Sequence, residues 1–463
     1  MKGQSQKREV KLLEAGRGDP SRKLGGSMPC AINRTSGKET SVQGITELME
    51  QLVARSNMLT AYNKVVQNKG APGVDRMTVE ELKGYLKENW HVIKEELIRG
   101  DYRPQAVLRV EIPKPNGGKR KLGIPTVLDR LIQQALHQLL SPIFEKSFSN
   151  HSYGFRAGRS ADQALKKAKC YVKEGRRWVV DIDLEKFFDK VNHDILMERI
   201  RRKVKDTRIL NLIRRYLRAG VMEGGIIAIN EEGTPQGGPL SPLLSNIMLT
   251  DLDKELERRG HAFCRYADDC NIYVRSEKAG ERVMISITEF IERKLKLKVN
   301  REKSKIDRPW RRKFLGFSFT SHYQTKIRVH ENSVRRLKEK VKELCRIGRG
   351  WRIERFILKK LNPVIRGWVN YFKTADTYTY ARRLDAWIRR RLRVLLWRQW
   401  SRAKVRYRKL IKRGIALEKS FMLAYSSKGP WRLSEFHAIA EAIPWQEFKN
   451  KGLVSMYQIA RYA

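Results

Sequence analysis

The sequence predicts an α+β protein whose strands are confined to the first two-thirds of the chain. Two kinds of pattern support this prediction. Runs of alternating or β-branched apolar residues at about residues 107–124, 178–184 and 263–275 are typical of strands. From about residue 331 to 413 the apolar residues instead recur at the spacing of helices. We therefore expect a mixed region of strands and helices, followed by a helical region.

The part of the chain before residue 178 is expected to be mostly helical, with one hairpin. Residues 1–44 are polar and aperiodic, which predicts a flexible basic leader. The alternating stretch 107–124 is interrupted by the Pro- and Gly-rich residues 113–118, and this pattern predicts a β-hairpin with a basic tip. Helical periodicity is present at about residues 46–68, 78–99, 126–147 and 160–174.

Strand signals become more frequent after residue 178. The run 178–184 (WVVDIDL) is short, β-branched and carries two acids. The remaining expectations, in chain order, are a strand–turn–strand at about 263–275, a helix at 277–296, short strands at about 314–319 and 326–329, and a mixed tail at 414–463.

The charge of the chain predicts a polyanionic partner. Its 463 residues include 97 Lys and Arg but only 50 Asp and Glu, so the formal net charge is +47. Such a field argues against an ordinary metabolic enzyme, because self-repulsion opposes compaction unless a polyanion relieves it. The hydrophobic fraction of 41% also argues against a disordered basic tail, which could not build a core. Nucleic acid is the leading candidate partner.

The excess of positive charge is greatest in the last third of the chain. Residues 301–463 carry a net charge of +30, and residues 381–413 contain 14 Lys and Arg with one acid, Asp385. Aromatic residues are interleaved with these cations, and exposed rings can stack on unpaired bases. Because Trp387 recurs with apolar neighbours at helical spacing, we expect most tryptophans to be helix core and most arginines to contact RNA.

The cysteines and the termini predict a soluble intracellular protein with reduced thiols. The five cysteines are odd in number and scattered, without a C-x-x-C pair, so neither a disulfide framework nor a zinc knuckle is expected. No signal peptide is visible at the N-terminus. No run of about 18 apolar residues occurs, so no membrane partner is expected.

Two pairs of acids lie within apolar strands of this basic chain. Asp268 and Asp269 are flanked by apolar residues, and Asp181 and Asp183 are two residues apart, so both could project from one face of a strand. Adjacent buried carboxylates repel one another unless a cation compensates them. Two acidic strands that face each other would suit a pair of Mg²⁺ ions for phosphoryl or nucleotidyl transfer. The alternative is a turn that points both acids outward.

Several blocks in order along the chain resemble motifs of one polymerase family. Residues 266–269 (YADD) resemble the metal-binding hairpin of reverse transcriptases, and residues 183–189 (DLEKFFD) resemble the block of the first catalytic strand. Residues 234–242 (TPQGGPLSP) resemble the block that supports primer and incoming nucleotide. Further blocks resemble group II intron-encoded reverse transcriptase/maturases: residues 70–75 (GAPGVD), 123–126 (GIPT), 152–160 (SYGFRAGRS), 314–317 (FLGF) and 361–372 (LNPVIRGWVNYF).

The resemblance covers about residues 45–460 and implies a right-hand polymerase fold followed by an α-helical thumb. The implied segments are a flexible basic leader at 1–44, fingers at 45–175, a palm with antiparallel sheet at 176–330, a thumb/maturase (X) domain at 331–413, and a DNA-binding-like segment at 414–463. Many members of the family end with an endonuclease that contains Cys pairs. No Cys follows residue 413, so the sequence resembles the compact bacterial type without this endonuclease.

The resemblance also implies a metal site with two Mg²⁺ ions. Asp183, Asp268 and Asp269 are the implied catalytic carboxylates and metal ligands, and Leu184 belongs to the same metal and nucleotide site. Carboxylates suit this role because Mg²⁺ prefers hard oxygen ligands. Asp181 departs from the family pattern, and we expect it to support the site or to be structural.

A further set of residues is implied to bind the incoming dNTP or to assist the leaving group. Phe188 falls on the position that screens the sugar 2′ carbon, with core packing as its alternative. The implied dNTP contacts are Lys114 and Arg120 on the basic hairpin, together with Gln236 and Gly237; alternatively these are solvated hairpin and turn residues. Lys303 matches the lysine that can protonate pyrophosphate, with an ordinary surface lysine as the alternative.

The function implied by the resemblance is RNA-directed DNA polymerisation combined with binding of the intron RNA. The expected partners are group II intron RNA, an RNA template/DNA primer duplex, target DNA and dNTPs. The arginines expected to bind nucleic acid lie in the basic stretch: Arg382, Arg383, Arg389, Arg390, Arg393 and Arg398. Two alternatives remain open: a domesticated reverse transcriptase of a defence or CRISPR system, and a maturase that promotes splicing without polymerising.

Overall fold

The computed structural model describes residues 47–113, 117–223, 226–228, 232–234, 237–376 and 378–462. The predicted leader at residues 1–44 lies outside these residues. The α+β expectation is confirmed, since sheets are confined to the region before residue 330 and the chain after it is helical. None of the described helices is long and apolar enough to cross a membrane.

The first part of the chain is helical apart from one hairpin, as predicted. Its elements are α1 (Leu48–Val53), α2 (Arg55–Asn68), α3 (Leu82–Arg99), β1 (Val107–Pro113), β2 (Lys119–Ile124), α4 (Val127–Glu145) and α5 (Ala161–Lys173). Two of these helices begin at side-chain caps. Thr126 accepts a hydrogen bond from the Asp129 amide, and Ser160 forms a reciprocal capping box with Gln163.

The middle part of the chain carries most of the strands. Its elements are β3 (Trp178–Ile182), α6 (His193–Arg201), α7 (Thr207–Arg218), β4 (Val221–Glu223), β5 (Ile226–Ala228), α8 (Ser241–Arg258), β6 (Ala262–Tyr266), β7 (Asp269–Val274), α9 (Glu277–Phe290), β8 (Lys305–Asp307), β9 (Phe317–Phe319) and β10 (Ile327–Val329). The predicted helix at 277–296 continues past α9 as a π-helical turn, Ile291–Leu295.

The strands form two four-stranded sheets and one two-stranded sheet. The sheet that carries the acids has the order β6-β7-β3-β8 and is antiparallel throughout, with Asp181 opposite Asn271. The other large sheet, β2-β1-β4-β5, contains one parallel pair, β1 with β4. A parallel pair needs a long crossover, which the helices α4 to α7 supply.

A continuous apolar core joins the acid-bearing sheet to the helices around it. Val180 and Ile272, which are paired across β3 and β7, are fully buried against α8 and the other helices of this region. Burial on both sides explains why these strands are nearly continuous apolar runs in the sequence. The acids at the ends of these strands are therefore attached to a rigid, well-packed sheet.

The last part of the chain is a helical assembly built around one long helix. Its elements are α10 (Glu331–Ile347), α11 (Ile353–Phe356), α12 (Asn362–Phe372), α13 (Tyr378–Gln399), α14 (Ala403–Ile411), α15 (Leu417–Ala424), α16 (Pro430–Leu433), α17 (His437–Ala442), α18 (Trp445–Asn450) and α19 (Met456–Tyr462). Leu384, Ile388, Leu392 and Trp397 of α13 are buried in its core. The prediction that the tryptophans are mostly core is confirmed for Trp397 and Trp400.

Candidate active site

The hairpin of β6 and β7 presents two adjacent aspartates at its turn. Tyr266 pairs with Asp269, so Ala267 and Asp268 form the two-residue turn. Ala267 has a φ of 58°, a left-handed conformation that is unfavourable for a residue with a side chain. Gly154 lies against this turn, because a Cβ atom at residue 154 would be 2.4 Å from the Ala267 nitrogen. The local conformation is therefore fixed by the packing around it.

A buried arginine stabilises this turn through hydrogen bonds. The side chain of Arg265 is fully buried, and its guanidinium donates two hydrogen bonds to the Asp253 carboxylate at 2.7 and 2.6 Å. It also donates to the Asn246 side chain at 3.0 Å, the Ala267 carbonyl at 2.8 Å and the Ser152 hydroxyl at 2.8 Å. These five hydrogen bonds use all five N–H donors of an arginine. All hydrogen-bond donors of the Arg265 side chain are thus used within the protein.

A second segment places Asp183 directly after β3. The Asp183 amide donates to the Ser304 hydroxyl at 3.0 Å, and its carbonyl accepts from the Asn300 amide at 2.8 Å. The next residue, Leu184, is buried and forms an isolated bridge with Val299. The backbone of Asp183 is therefore held on both sides while its side chain stays accessible.

The four aspartates of these segments are close enough to influence one another. Loss of solvation, followed by the negative charges of Asp181 and Asp268, raises the pKa of Asp269 to about 8, and Asp183 adds to the effect. Burial also raises the pKa of Asp181, although Arg312 donates a hydrogen bond to it at 3.0 Å and opposes this shift. Asp181 is thus an ion-pair partner of Arg312, in line with the expected structural role.

The donor set suits a hard divalent cation. Asp183 and Asp268 line one cleft. Asp269, whose pKa is raised by burial and by its acidic neighbours, lines a second pocket together with Lys313 and Tyr371. Among the described residues, no three His, Cys, Asp or Glu side chains are arranged to hold a metal ion by themselves. Mg²⁺ commonly takes only one or two carboxylates and completes its shell with water and substrate phosphates. The three-carboxylate ligand set stays a prediction.

The cleft between the two large sheets has a volume of about 790 Å³ and combines acidic and basic walls. Lys303 lies at the acidic wall, with its Nζ 3.6 Å from the Asp183 Oδ2, and its side chain is 67% exposed. Phe188 also lines the cleft and is only partly buried, whereas its neighbour Phe187 is core. These placements agree with, but do not test, the roles that the sequence assigns to Lys303 and Phe188.

The basic wall contains residues that sequence reasoning missed. Arg109 of β1 and Lys119 and Lys121 of β2 line the cleft. Residues two apart in a strand share a face, so strand alternation in the predicted hairpin could have identified Lys119 and Lys121 as a pair. Arg120 belongs to β2 opposite Ile112, and nothing is described of its side chain. Lys114 lies outside the described residues.

The predicted turn before α8 is described only in part. Gln236 lies outside the described residues. Gly237 has a φ of 137°, and a Cβ atom there would be 2.3 Å from the Gly123 carbonyl oxygen. Because residue 237 has no side chain, its backbone can pack closely against the backbone of β2. Its predicted contact with a nucleotide remains a prediction.

The predicted nucleic-acid-binding arginines of α13 divide into two groups. Arg390 donates to the Ser434 hydroxyl at 3.0 Å and to the Trp431 carbonyl at 2.8 Å, and it stacks 3.6 Å from the centre of the Trp431 ring. Arg393 donates to the Ile443 carbonyl, Arg382 to the Tyr457 hydroxyl, and Arg389 lies over the Trp445 ring. Arg383 and Arg398 are exposed.

Comparison with known families gives two matches that follow each other along the chain. A family model described as "Reverse transcriptase (RNA-dependent DNA polymerase)" matches residues 112–319. A second model, described as "Group II intron, maturase-specific domain", matches residues 334–414. The first match contains the aspartates and most of the residues that line the cleft, and the second contains most of the helical assembly around α13.

Curated relatives agree with these matches. The chain is 34% identical over 303 residues to Protein YkfC of Escherichia coli K12, an alignment that covers 57% of this chain and 79% of that protein. It is 39% identical over 220 residues to the group II intron-encoded protein LtrA of Lactococcus lactis, covering 47% of this chain and 36% of LtrA. The nuclear intron maturase 4 of Arabidopsis thaliana is 28% identical over 226 residues, which cover 48% of this chain and 27% of that protein.

Proposed function

The chain belongs to the group II intron reverse transcriptase/maturase family, and on that premise we propose that it is an active RNA-directed DNA polymerase that also promotes splicing of its intron RNA. It has the right-hand polymerase fold of that family, with a helical region after the palm. We propose the segment boundaries given above as fingers, palm, thumb and DNA-binding-like tail. Copying of the intron RNA into DNA during intron mobility follows from the same activity.

The observation that carries this proposal is the convergence of Asp183 and Asp268 on one cleft, with Asp269 beside them. We propose that these carboxylates, with the Leu184 backbone, hold two Mg²⁺ ions. When bound, Mg²⁺ ions activate a hydroxyl nucleophile and neutralise charge on the transferring phosphate. The protein residues contribute rigid placement, because β3 and β7 are buried and Arg265 fixes the turn between β6 and β7.

The basic wall of the cleft is suited to the triphosphate of an incoming dNTP. Arg109, Lys119 and Lys121 supply three cations opposite the acidic wall. Arginine binds phosphate through a planar fork of donors, and lysine binds it as a point charge. We include Lys114, Arg120, Gln236 and Gly237 in the same nucleotide site on the strength of the sequence motifs. Phe188, at the cleft surface, is proposed to exclude the 2′-hydroxyl of a ribonucleotide.

Lys303 is proposed to donate a proton to the pyrophosphate leaving group. Its ammonium group lies 3.6 Å from an Asp183 oxygen and is largely exposed, so it can turn toward a bound triphosphate. A positioned acid at the leaving group is an ordinary source of rate enhancement in group transfer. The exposed flexible side chain suits this role better than a buried lysine would.

The helical region is proposed to bind RNA, and its partners are group II intron RNA, the template–primer duplex and target DNA. The net charge of +30 in residues 301–463 supplies the counter-charge that a folded RNA requires. Arg382, Arg383 and Arg398 are the exposed members of the predicted arginine set, and of these Arg382 also donates to the Tyr457 hydroxyl. Arg390 and Arg393 bind the C-terminal segment. A cytoplasmic, nucleoid- or ribonucleoprotein-associated location would follow from these partners.

Primer extension tests the polymerase claim. Purified protein with an RNA template, a DNA primer, dNTPs and Mg²⁺ should extend the primer, and Asp268→Ala should lower the rate about a thousandfold, because metal ions supply several kcal/mol of transition-state stabilisation. Asp194→Ala is the matched control, since Asp194 is an exposed aspartate of α6 that pairs with Arg214 on the surface. The control should extend at the wild-type rate.

The same assay separates the alternatives. If the wild-type protein stimulates intron splicing but does not extend any primer, the protein is a splicing-only maturase and the polymerase proposal is wrong. The match of residues 334–414 to a maturase-specific domain argues against a domesticated reverse transcriptase. Extension without any effect on splicing of the flanking intron would restore that alternative.

A further inference from the structure

Three aromatic residues form a cluster on α14, on α15 and at the C-terminal cap of α15, and none of them lines the cleft. We call Tyr407, Phe421 and Tyr425 the aromatic surface. The rings of Phe421 and Tyr425 are 4.6 Å apart between centres and tilted by 32°, and Tyr407 meets Phe421 edge-on at 6.2 Å. Phe421 is 56% exposed and Tyr425 is 55% exposed. The rings therefore form a continuous layer that is open to solvent on one side.

The helix α15 exposes several large apolar residues. Ser420 and Ala424 of this helix are buried, and Leu423 is partly buried against the core that contains Leu410. Leu417, Phe421 and Met422 are exposed, as is Tyr425, which directly follows the helix. A surface helix usually turns its apolar residues toward the core and its polar residues toward solvent. The exposed apolar residues of α15 therefore suit a role in binding.

Basic residues surround this face. Within residues 402–428 the exposed cations are Arg402, Lys404, Arg408, Lys409, Lys412, Lys419 and Lys428. Glu418 is the single acid in this stretch of sequence. Arg406 and Arg413 of the same stretch are engaged inward, with the Trp400 carbonyl and the Glu447 carboxylate. The surface therefore combines open rings with a strong positive field.

Open rings in a positive field are the combination that binds unpaired nucleotides. Bases stack on exposed aromatic side chains, and cations beside them bind the phosphates of the same strand. A duplex cannot use the rings in this way, because its bases are already stacked on each other. Intron RNA offers unpaired bases in loops and bulges, where most specific recognition of RNA by proteins takes place. A protein partner of apolar character would have to tolerate the surrounding cations.

We propose that the aromatic surface stacks on unpaired bases of the intron RNA while the surrounding cations of α14 and α15 bind its phosphates. The proposal rests on the proposed function, since it takes the intron RNA as the partner, and it assigns a place on the protein to that partner. It adds a site that is separate from the cleft and that does not take part in nucleotide addition.

Binding of a labelled, unstructured single-stranded oligoribonucleotide to the full chain tests the proposal. Phe421→Leu and Tyr425→Leu keep an apolar side chain but remove the ring, so each should weaken binding about tenfold, since stacking on one base is worth a factor of that order. Phe421→Trp should restore binding. Met422→Ala is the matched control on the same helix, because Met422 is 72% exposed and carries no ring.

The outcomes are distinct from those of the polymerase test. Wild-type affinity in both leucine variants would overturn the proposal, as would an equal loss in Met422→Ala, which would show that binding does not depend on the rings. An equal loss on a duplex RNA of the same length would also overturn it, because it would show that only phosphates are bound. With a saturating preannealed template–primer, the rate of nucleotide addition should be unchanged in all variants, because none of the substituted residues lines the cleft. Failure of extension in the wild type would count against the proposed function instead.

Discussion

The acid-bearing strands and the long helix α13 both bring several groups of like charge together, but they do so differently. At the ends of the strands, burial and the nearby Asp181, Asp268 and Asp183 raise the pKa of Asp269 to about 8. Along α13, the arginines are close in sequence but many have partners within the protein. Arg390, for example, has hydrogen bonds to the C-terminal segment and a ring to stack on.

The comparison teaches that a binding site differs from a structural region in how its charged side chains are paired within the protein, and not in how many charges lie close together. A charge whose hydrogen-bonding groups are all satisfied, such as that of Arg265, holds the structure together. A buried acid whose pKa is raised by lost solvation and by acidic neighbours, such as Asp269, carries a free-energy cost that a bound cation can relieve. The following predictions are ordered from the largest expected effect to the smallest.

Removing the charge of Arg265 should produce the largest loss of stability. Arg265→Leu leaves the buried Asp253 carboxylate without its cation, and breaking a buried pair in this way costs about 3–5 kcal/mol. The loss should appear as a lower urea midpoint of unfolding. Arg99→Leu is the control, because Arg99 forms an exposed ion pair with Glu95, and such pairs contribute about 1 kcal/mol or less. Similar midpoints for the two variants would contradict this account of the turn.

Removing the amine of Lys303 should affect chemistry rather than folding. Lys303→Ala should lower the rate of single nucleotide addition about a hundredfold, which is typical of losing a general acid. The affinity for the template–primer should stay close to that of the wild type. Lys305→Ala, an exposed lysine of the neighbouring strand β8, provides the control. Equal rates for the two variants would mean that Lys303 is an ordinary surface lysine.

Arg390 and Arg383 form a matched pair on one helix. Arg390→Met should lower the free energy of unfolding by about 2 kcal/mol, because it removes hydrogen bonds from a charged group to Ser434 and Trp431. Arg383→Met should leave unfolding unchanged but weaken RNA binding and reduce its salt dependence by the release of about one counterion. Thermal unfolding and RNA titrations at several salt concentrations measure both effects. Identical behaviour of the two variants would refute the division into two groups.

Asp385 is expected to contribute a smaller, local effect. Its carboxylate accepts hydrogen bonds from the Ser455 hydroxyl and from the Met456 and Tyr457 amides, at the start of α19. Asp385→Ala should destabilise α19 by about 1 kcal/mol, the usual effect of losing a helix cap. Hydrogen exchange of the amides of α19 should speed up, while exchange in the palm should not change. Faster exchange in both regions would argue against a local cap.

Much of the fold was predictable from local pattern. The strand runs at residues 178–184 and 263–275 and the helical spacing after residue 331 depend on neighbours a few positions away, and the structure contains the corresponding elements. The two acidic pairs were also visible, because acids inside apolar runs are unusual. The helices α6, α7 and α8 were not anticipated, although α7 carries a clear apolar face.

What sequence reasoning missed depends on contacts between distant segments. Arg265 looks like one more arginine beside an acidic turn, and only the fold brings Asp253 and Ser152 to it. The arginines of α13 looked like an RNA-binding series, but the C-terminal segment folds back and engages several of them. Lys119 and Lys121 of the basic wall were not singled out, because the facing of a hairpin is fixed by its register rather than by its composition.

The central claim is that Asp183, Asp268 and Asp269 form a cation site, and the stability of Asp269→Asn tests it most directly. An acid whose pKa is raised on folding destabilises the native state at pH values above its unfolded pKa, so at neutral pH the wild type carries this penalty. Without divalent cations, Asp269→Asn should therefore unfold at a higher urea concentration than the wild type, by about 1–2 kcal/mol. Added Mg²⁺ should stabilise the wild type and leave the variant nearly unchanged. A variant that is less stable than the wild type without Mg²⁺, and that responds equally to Mg²⁺, would contradict the account.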